Sequence, residues 1–384
     1  MRLWTLLLVA CATPDPAASD APAEQVDDGN LVVDLAPPAQ GYQLESAPVE
    51  VAAHSEVQLC SVLRLDPDGD ESLAWVNQME SLSSTGTHHM NVVIGSFSFL
   101  DAFLEEGASA RALGADLGTY DCADLPTMEL GFPVFPSQRD NQQITLPEGV
   151  AAPLPLPLVA VFSHHYVNAG DTPITINAAL NLTTVQPDEV VSVAGMVFDS
   201  IGDLEVEAGT RQSFARTCVV DRDVDVALVS THTHEWATCA SMNHYDGESE
   251  QVEDTPFYVN TQWDQPPILH FEPGTFSLKA GDGVHWACHY DNDTDRTLID
   301  DGSAAGEMCV MAAVTWPTAF SVDWVEETVA SRDLDSLLGL MDEVLGGCDR
   351  VRDDITGPWS PDPTSLGGDL PCEGLPQTES NTLE

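Results

Sequence analysis

Histidine is the residue type whose spacing in this chain most strongly indicates chemistry. Six of the eleven histidines form three close pairs. These pairs are His88 with His89, His164 with His165, and His232 with His234. Neutral imidazole is a ligand for zinc, copper, iron and nickel, so histidines close together predict a metal site. An isolated pair is more often a surface feature, but three pairs in one chain are harder to ascribe to chance.

The third pair has the clearest geometry. His232 and His234 are two residues apart, and residues i and i+2 of a β-strand project from the same face. Both imidazoles can therefore reach one metal ion. The adjacent residues His88 and His89 would point to opposite faces of a regular strand, so joint ligation there requires a β-bulge or a strand end. The Gly-Thr dipeptide directly before them favours a strand end.

Met308, in the segment Gly306-Glu307-Met308-Cys309, offers a different kind of ligand. Thioether sulfur is soft and selects Cu(I) over zinc, magnesium or calcium. A single methionine is more often core filler, so Met308 is a candidate only together with the histidines. A zinc hydrolase is disfavoured, because the sequence has no His-Glu-x-x-His motif and methionine is a poor zinc ligand.

Short alternating apolar runs predict that β-strands position these residues, as in Val57–Val62, Met90–Ile94 and Val310–Val314. We predict an all-β fold of two tandem antiparallel β-sandwich domains, jelly-roll-like, over residues 43–187 and 188–328, with one metal site on each. A short helix is predicted from Asp333 to Leu345, within a loose C-terminal segment of residues 329–384.

The charge balance argues against several classes of partner. The 384 residues carry a formal net charge of −51, from 63 acidic and 12 basic side chains. Such a surface repels phosphate backbones, so we expect no binding to nucleic acid, and it disfavours docking on anionic lipid. The plain interpretation is a solvated, self-repelling surface suited to extracellular conditions.

The N-terminal segment predicts export and a lipid anchor. Arg2 precedes an apolar run, Leu3–Ala10, which is too short to span a bilayer and is typical of a signal peptide over residues 1–10. Leu8-Val9-Ala10-Cys11 resembles a bacterial lipobox, so we expect lipidation of Cys11 and anchoring in the bacterial cell envelope, periplasmic or at the surface. An ordinary signal peptide with a chance cysteine is the alternative. Residues 11–42 are predicted to be a flexible tether.

Taken in order, these motifs resemble the copper type II, ascorbate-dependent monooxygenases, the family of the peptidylglycine α-hydroxylating and dopamine β-monooxygenases. The resemblance covers roughly residues 43–325 and includes Val193-Ala194-Gly195-Met196 and Cys288-His289-Tyr290-Asp291-Asn292. It implies two copper ions per chain, one held by His88, His89 and His165 and one by His232, His234 and Met308. Histidines without a family ligand role are His164, His285 and His289.

Disulfides are a further implication of the resemblance. The nine cysteines less Cys11 leave eight, an even number typical of disulfides in an exported chain. Cys288–Cys309 matches a family disulfide, and Cys60–Cys122 matches a family bridge in the first domain. Cys218 has a family counterpart but no obvious partner. The pairing of the last four cysteines stays open, with Cys218–Cys348 and Cys239–Cys372 preferred.

The family reaction inserts one oxygen atom of O2 into a C–H bond, with electrons from ascorbate. The resemblance therefore implies a copper monooxygenase with O2 and a small-molecule substrate. A copper-binding lipoprotein that stores or delivers the metal without catalysis is the alternative. It is disfavoured, because delivery needs one exchangeable site rather than two sites with different ligands.

The substrate class follows from a departure from the family pattern. Peptide-amidating members hold a peptide carboxylate with an arginine, an asparagine and a tyrosine, where this chain has Ser230, Val310 and Ala312. We therefore expect a neutral or cationic small molecule rather than a peptidylglycine. Three tryptophans could line a pocket or equally belong to the core: Trp236, Trp263 and Trp286.

Overall fold

The computed structural model describes residues 31–67, 72–95, 118–122, 132–300, 306–344, 348–352, 372 and 375–380. The signal peptide, Cys11 and half of the C-terminal segment lie outside these residues. Strands dominate and helices are few, so the prediction of an all-β protein is confirmed. Residues 31–33 run beside residues 175–177, where the Leu31 amide donates to Thr175 O and Val33 exchanges hydrogen bonds with the Asn177 side chain. Part of the segment predicted as a tether is therefore attached to the folded body.

The N-terminal half of the structure, residues 41–193, contains strands β1 to β13. One sheet has the order β1-β12-β4-β9-β13 with β8 beside β4, a second has the order β6-β3-β10-β5-β7, and β2 pairs with β11. The bounds are β1 Gly41–Glu45, β2 Val49–Val51, β3 Ser55–Leu65, β4 Leu73–Ser83, β5 Thr87–Gly95, β6 Thr119–Asp121, β7 Phe132–Ser137, β8 Asn141–Thr145, β9 Val150–Pro155, β10 Leu158–Asn168, β11 Ile174–Ile176, β12 Ala178–Val185 and β13 Ser192–Val193.

The C-terminal half, residues 195–352, contains strands β14 to β26. One sheet has the order β14-β25-β17-β21 with β22 beside β17, another has the order β19-β18-β23-β16-β26 with β20 beside β18, and β15 pairs with β24. The bounds are β14 Gly195–Ser200, β15 Glu205–Val206, β16 Thr210–Val219, β17 Val224–His232, β18 Ala237–Asp246, β19 Gln251–Val252, β20 Tyr258–Asn260, β21 Leu269–His270, β22 Ser277–Leu278, β23 Gly283–Asn292, β24 Leu298–Ile299, β25 Val310–Trp316 and β26 Arg350–Arg352.

Apolar packing joins the two halves. Within the described ranges no strand of one half pairs with a strand of the other. One core cluster nevertheless combines Phe135 and Phe162 of the N-terminal half with Leu228 and Val314 of the C-terminal half. A second cluster, around Trp286, draws only on residues of the C-terminal half. Burial of shared apolar surface therefore holds the halves against each other.

Two helices follow the last long strand. Helix α2, Leu334–Val344, agrees with the predicted helix to within one residue at each end, and α1, Val322–Ser331, was not predicted. A sequence signal for α1 exists, because the Ser321 side chain caps it by accepting from the Trp324 amide. Val325 and Val329 of α1 are buried against Trp75 in the N-terminal half, so this helix also bridges the halves.

Four disulfides are present, and they are the four preferred pairings. They are Cys60–Cys122, Cys218–Cys348, Cys239–Cys372 and Cys288–Cys309. Disulfides in this number are typical of an oxidising compartment outside the cytosol. Among the described residues, the helices are too short and too polar for any of them to cross a membrane.

Candidate metal centres

The first cluster consists of His88, His89 and His165, on two neighbouring strands. His165 of β10 lies opposite His89 of β5, and the next pair is Tyr166 with Thr87, so His88 is an extra residue in the register. This irregularity at the start of β5 is the feature that two adjacent histidines need in order to face one side.

The imidazoles of the first cluster converge through their Nδ1 atoms. His88 Nδ1 lies 3.0 Å from His89 Nδ1 and 3.1 Å from His165 Nδ1. Both separations are less than twice a metal–nitrogen bond of about 2 Å, and the ligand atoms of all three residues lie within 4.8 Å of one another, so the cluster could hold one metal ion. Burial first, and the neighbouring histidines second, lower the pKa of His88 and hold the pKa of His89 well below its usual value. The neutral form that binds metal is therefore favoured at these two positions.

Glu56 completes this cluster, and the sequence analysis did not identify it. Its Oε1 lies 2.6 Å from His165 Nε2. Because a carboxylate oxygen accepts hydrogen bonds, the tautomer of His165 that fits this contact has its proton on Nε2 and presents the Nδ1 lone pair to the cluster. No local signal marks Glu56, since it is 109 residues from His165 and is brought near by the pairing of β3 with β10.

The second cluster consists of His232 and His234, with the Met308 segment beside them. His232 is the last residue of β17, whereas His234 lies in the turn before β18. The ring centroids are 5.0 Å apart and the planes meet at 81°. The predicted pair is thus brought together, but the turn places His234, and the predicted strand geometry applies only to His232. His234 Nδ1 donates to Gly306 O at 3.1 Å, so the lone pair of its neutral ring is on Nε2.

Glu307 joins the two parts of the second cluster. This fully buried carboxylate accepts from the backbone amides of His234 at 3.0 Å, Trp236 at 2.8 Å and Met308 at 3.2 Å. Burial raises its pKa to about 7, against the opposing effect of the three amides. Glu307 therefore connects the turn that carries His234 to the backbone of Met308. The Tyr290 hydroxyl also fixes Met308, because it donates to Met308 O at 2.8 Å. The only sequence signal for Glu307 is its place directly before Met308.

The two clusters lie close enough for their charges to interact. His234 lowers the pKa of His88, and His88 in turn contributes to the low pKa of His232, which burial brings to about 3. Gln138 contributes to this region from the N-terminal half, since its Oε1 lies 2.9 Å from His232 Nδ1. The Trp263 ring lies 5.5 Å from the His88 ring. Both clusters therefore face one region where the halves meet.

Three histidines outside the two clusters, His164, His285 and His289, have other partners. His164 is buried, and its Nε2 forms a hydrogen bond with Thr87 Oγ1 at 2.8 Å. His285 bonds to Thr217 Oγ1 at 2.9 Å. His289 bonds to Ser213 Oγ at 2.7 Å and lies beside Cys239 and Cys372, whose sulfurs form a disulfide.

Of the three tryptophans that were candidates for a pocket, one lies beside a histidine cluster. Trp263 borders the first cluster, whereas Trp286 is completely buried in the core and Trp236 stacks with the Arg296 guanidinium at 5.2 Å. Ser230 lies opposite Ala312 in the pairing of β17 with β25, and its hydroxyl donates to Pro267 O at 3.0 Å.

No model of a known protein family matches this chain, and no curated protein matches it. Among solved structures, the chain is similar to the VP2 subviral particle of infectious bursal disease virus, with 10% identity and a TM-score of 0.16 over 75% of each chain. A TM-score this low carries no information about fold or function.

Proposed function

We propose that this protein is a two-copper monooxygenase of the family that its motifs resemble, built from two tandem β-sandwich domains. The observation that supports this most is the pair of histidine clusters with different donors, one in each half, facing the same region. A three-imidazole set and a set of two imidazoles with a nearby thioether residue both suit copper. Copper bound there would supply the one-electron and O2 chemistry that oxidises a C–H bond, with ascorbate as reductant.

The chain's own residues prepare both clusters for such ions. Glu56 and Gly306 O hold His165 and His234 in the tautomers that direct a lone pair inward. Burial keeps His89 and His232 neutral, so metal binding does not have to displace protons from them near neutral pH. Because Glu307 accepts from the backbone amides of both His234 and Met308, it fixes the distance between these two backbone segments.

The substrate is proposed to be a small neutral or cationic molecule. Ser230, Val310 and Ala312 offer no cation to a carboxylate, and the Ser230 hydroxyl already donates to Pro267 O. Glu56 and Asp264 raise the pKa of His88, so acidic groups lie near the first cluster. Trp263 supplies an aromatic surface beside it. We propose that the enzyme acts outside the cytosol, anchored through a lipidated Cys11.

Metal analysis combined with ascorbate-driven oxygen consumption tests this function. The purified protein should bind two copper ions, and His234→Ala or Met308→Ala should each weaken one of them. His54→Ala is the matched control, because His54 is exposed and pairs with Asp171 away from both clusters. A single copper that is unaffected by His234→Ala and Met308→Ala would contradict the two-site assignment. Two coppers with no oxygen turnover on any C–H substrate would instead favour a storage or delivery protein.

A further inference from the structure

We propose that Gln138 is a positioning residue that selects the tautomer of His232 in which Nε2 is free to bind metal. Gln138 lies in the turn between β7 and β8 of the N-terminal half, whereas His232 ends β17 of the C-terminal half. The inference rests on the proposed function only for the identity of the bound ion. The tautomer itself is a property of the metal-free protein.

The orientation of the Gln138 amide follows from its second partner. Its Nε2 donates to the backbone oxygen of Trp263 at 3.0 Å, and a carbonyl oxygen can only accept. The other atom of the amide, Oε1, must therefore face His232 Nδ1, at 2.9 Å. Because that oxygen also only accepts, His232 Nδ1 carries the proton and Nε2 carries the lone pair.

This selection opposes the intrinsic preference of the side chain. An unrestrained neutral histidine favours the Nε2–H form, in which the nitrogen needed for the metal is protonated. His234 obtains the Nδ1–H form from Gly306 O, within its own half of the structure. His232 obtains it from a residue of the other half, so its readiness for metal depends on the contact between the halves.

Arg139 strengthens that contact without touching either histidine cluster directly. Its guanidinium donates to Gln265 O at 3.2 Å and to Pro266 O at 3.5 Å. Gln138 and Arg139 together therefore form hydrogen bonds with the backbone of residues 263–266. The Trp263 ring of this segment lies beside His88. The same turn thus positions a ligand of the second cluster and a neighbour of the first.

The test is the tautomer of His232 in the metal-free protein, read from 15N chemical shifts of the histidine rings. We expect Nδ1–H in the wild type and a shift toward Nε2–H in Gln138→Leu, with His234 unchanged as an internal control. Gln142→Leu is the matched control, because the Gln142 amide donates to Pro136 O within its own half. Gln138→Glu keeps an oxygen that can accept from Nδ1–H and should preserve the tautomer.

Copper titration supplies the second readout. Gln138→Leu should weaken copper binding at the second cluster by about tenfold, as loss of a ligand's hydrogen-bond partner does elsewhere, and leave the first cluster unchanged. An Nε2–H signal for His232 in the wild type, or an unchanged tautomer in a folded Gln138→Leu protein, would overturn the inference. Failure of the wild type to bind copper, with the tautomer shift observed, would overturn the proposed function and support the role of Gln138.

Discussion

The two histidine clusters differ in what holds their ligands in place. The first takes all three imidazoles from the paired strands β5 and β10, and its supporting Glu56 comes from β3 in the same sheet. The second takes one imidazole from the end of a strand and one from a turn, and its supports come from a distant loop and from the other half. Backbone pairing positions the first cluster, whereas side-chain hydrogen bonds position the second.

This difference indicates which cluster tolerates change. A sheet register cannot shift without breaking many hydrogen bonds at once, so the first cluster is rigid in its backbone. The second depends on a few buried polar contacts, each of which is costly to lose singly. We expect the second cluster to be the more adjustable one and the more sensitive to single substitutions outside its ligands.

Removal of the Glu307 carboxylate should have the largest effect. Glu307→Ala leaves three backbone amides without their acceptor, and each buried unpaired amide costs about 1–3 kcal/mol. We expect the free energy of unfolding to fall by at least about 3 kcal/mol and copper binding at the second cluster to be lost. Urea denaturation and copper titration measure the two effects. Equal weakening of both clusters would contradict the comparison.

Removal of the disulfide Cys288–Cys309 should have the second-largest effect. It closes a loop of 21 residues that leads to the Met308 segment, and a loop of this length contributes about 3 kcal/mol in the chain-entropy treatment. Replacing both cysteines by serine should lower the free energy of unfolding by about that amount. It should also make the conformation of the second cluster more heterogeneous. The spectrum of copper at the first cluster should not change, and the double replacement of Cys60 and Cys122 is the complementary control.

Acid should lower the free energy of unfolding of the metal-free protein, because both halves contain buried neutral histidines. Burial lowers the pKa of His232 to about 3 and the pKa of His164, His285 and His289 to about 4, against 6.5 when exposed. Because the unfolded chain binds these protons more readily, the stability they contribute is present above pH 6.5 and is lost as pH falls toward 4. Thermal unfolding at pH 7.5 and 5 should differ by several degrees; an unchanged Tm would show that these rings are not buried in neutral form.

The smallest effect should come from Glu56. Its side chain is 57% exposed, so its hydrogen bond to His165 is partly screened by water. Glu56→Leu removes the acceptor of the His165 Nε2–H group and should weaken copper binding at the first cluster by about tenfold, with the second cluster unchanged. Glu50→Leu, on strand β2, is a control with the same change of charge and shape. A loss of binding at the second cluster would show that the two are not independently supported.

Local patterns in the sequence were sufficient for much of the fold. Alternating apolar residues predicted the strands around Met90 and Val310, because the period of two is a property of a single strand. The helix at Leu334–Val344 was predicted to within a residue, whereas α1 was not, although Ser321 and the spacing of its valines are helix signals. Joint ligation by His88 and His89 was predicted to need a β-bulge or a strand end, with a strand end favoured. The register of β5 with β10 shifts at this point, near the start of β5.

The sequence by itself determined which donor types are available, which histidines are paired, and which cysteines the resemblance joins. Only the tertiary structure decided which nitrogen of each ring faces inward, because Glu56, Gly306 and Gln138 lie 109, 72 and 94 residues from the histidines they contact. Contacts at such separations depend on strand register and on how the halves pack, and no local pattern records either. The same reason explains why Glu307 was noticed as a neighbour of Met308 but not as the residue that holds the turn of His234.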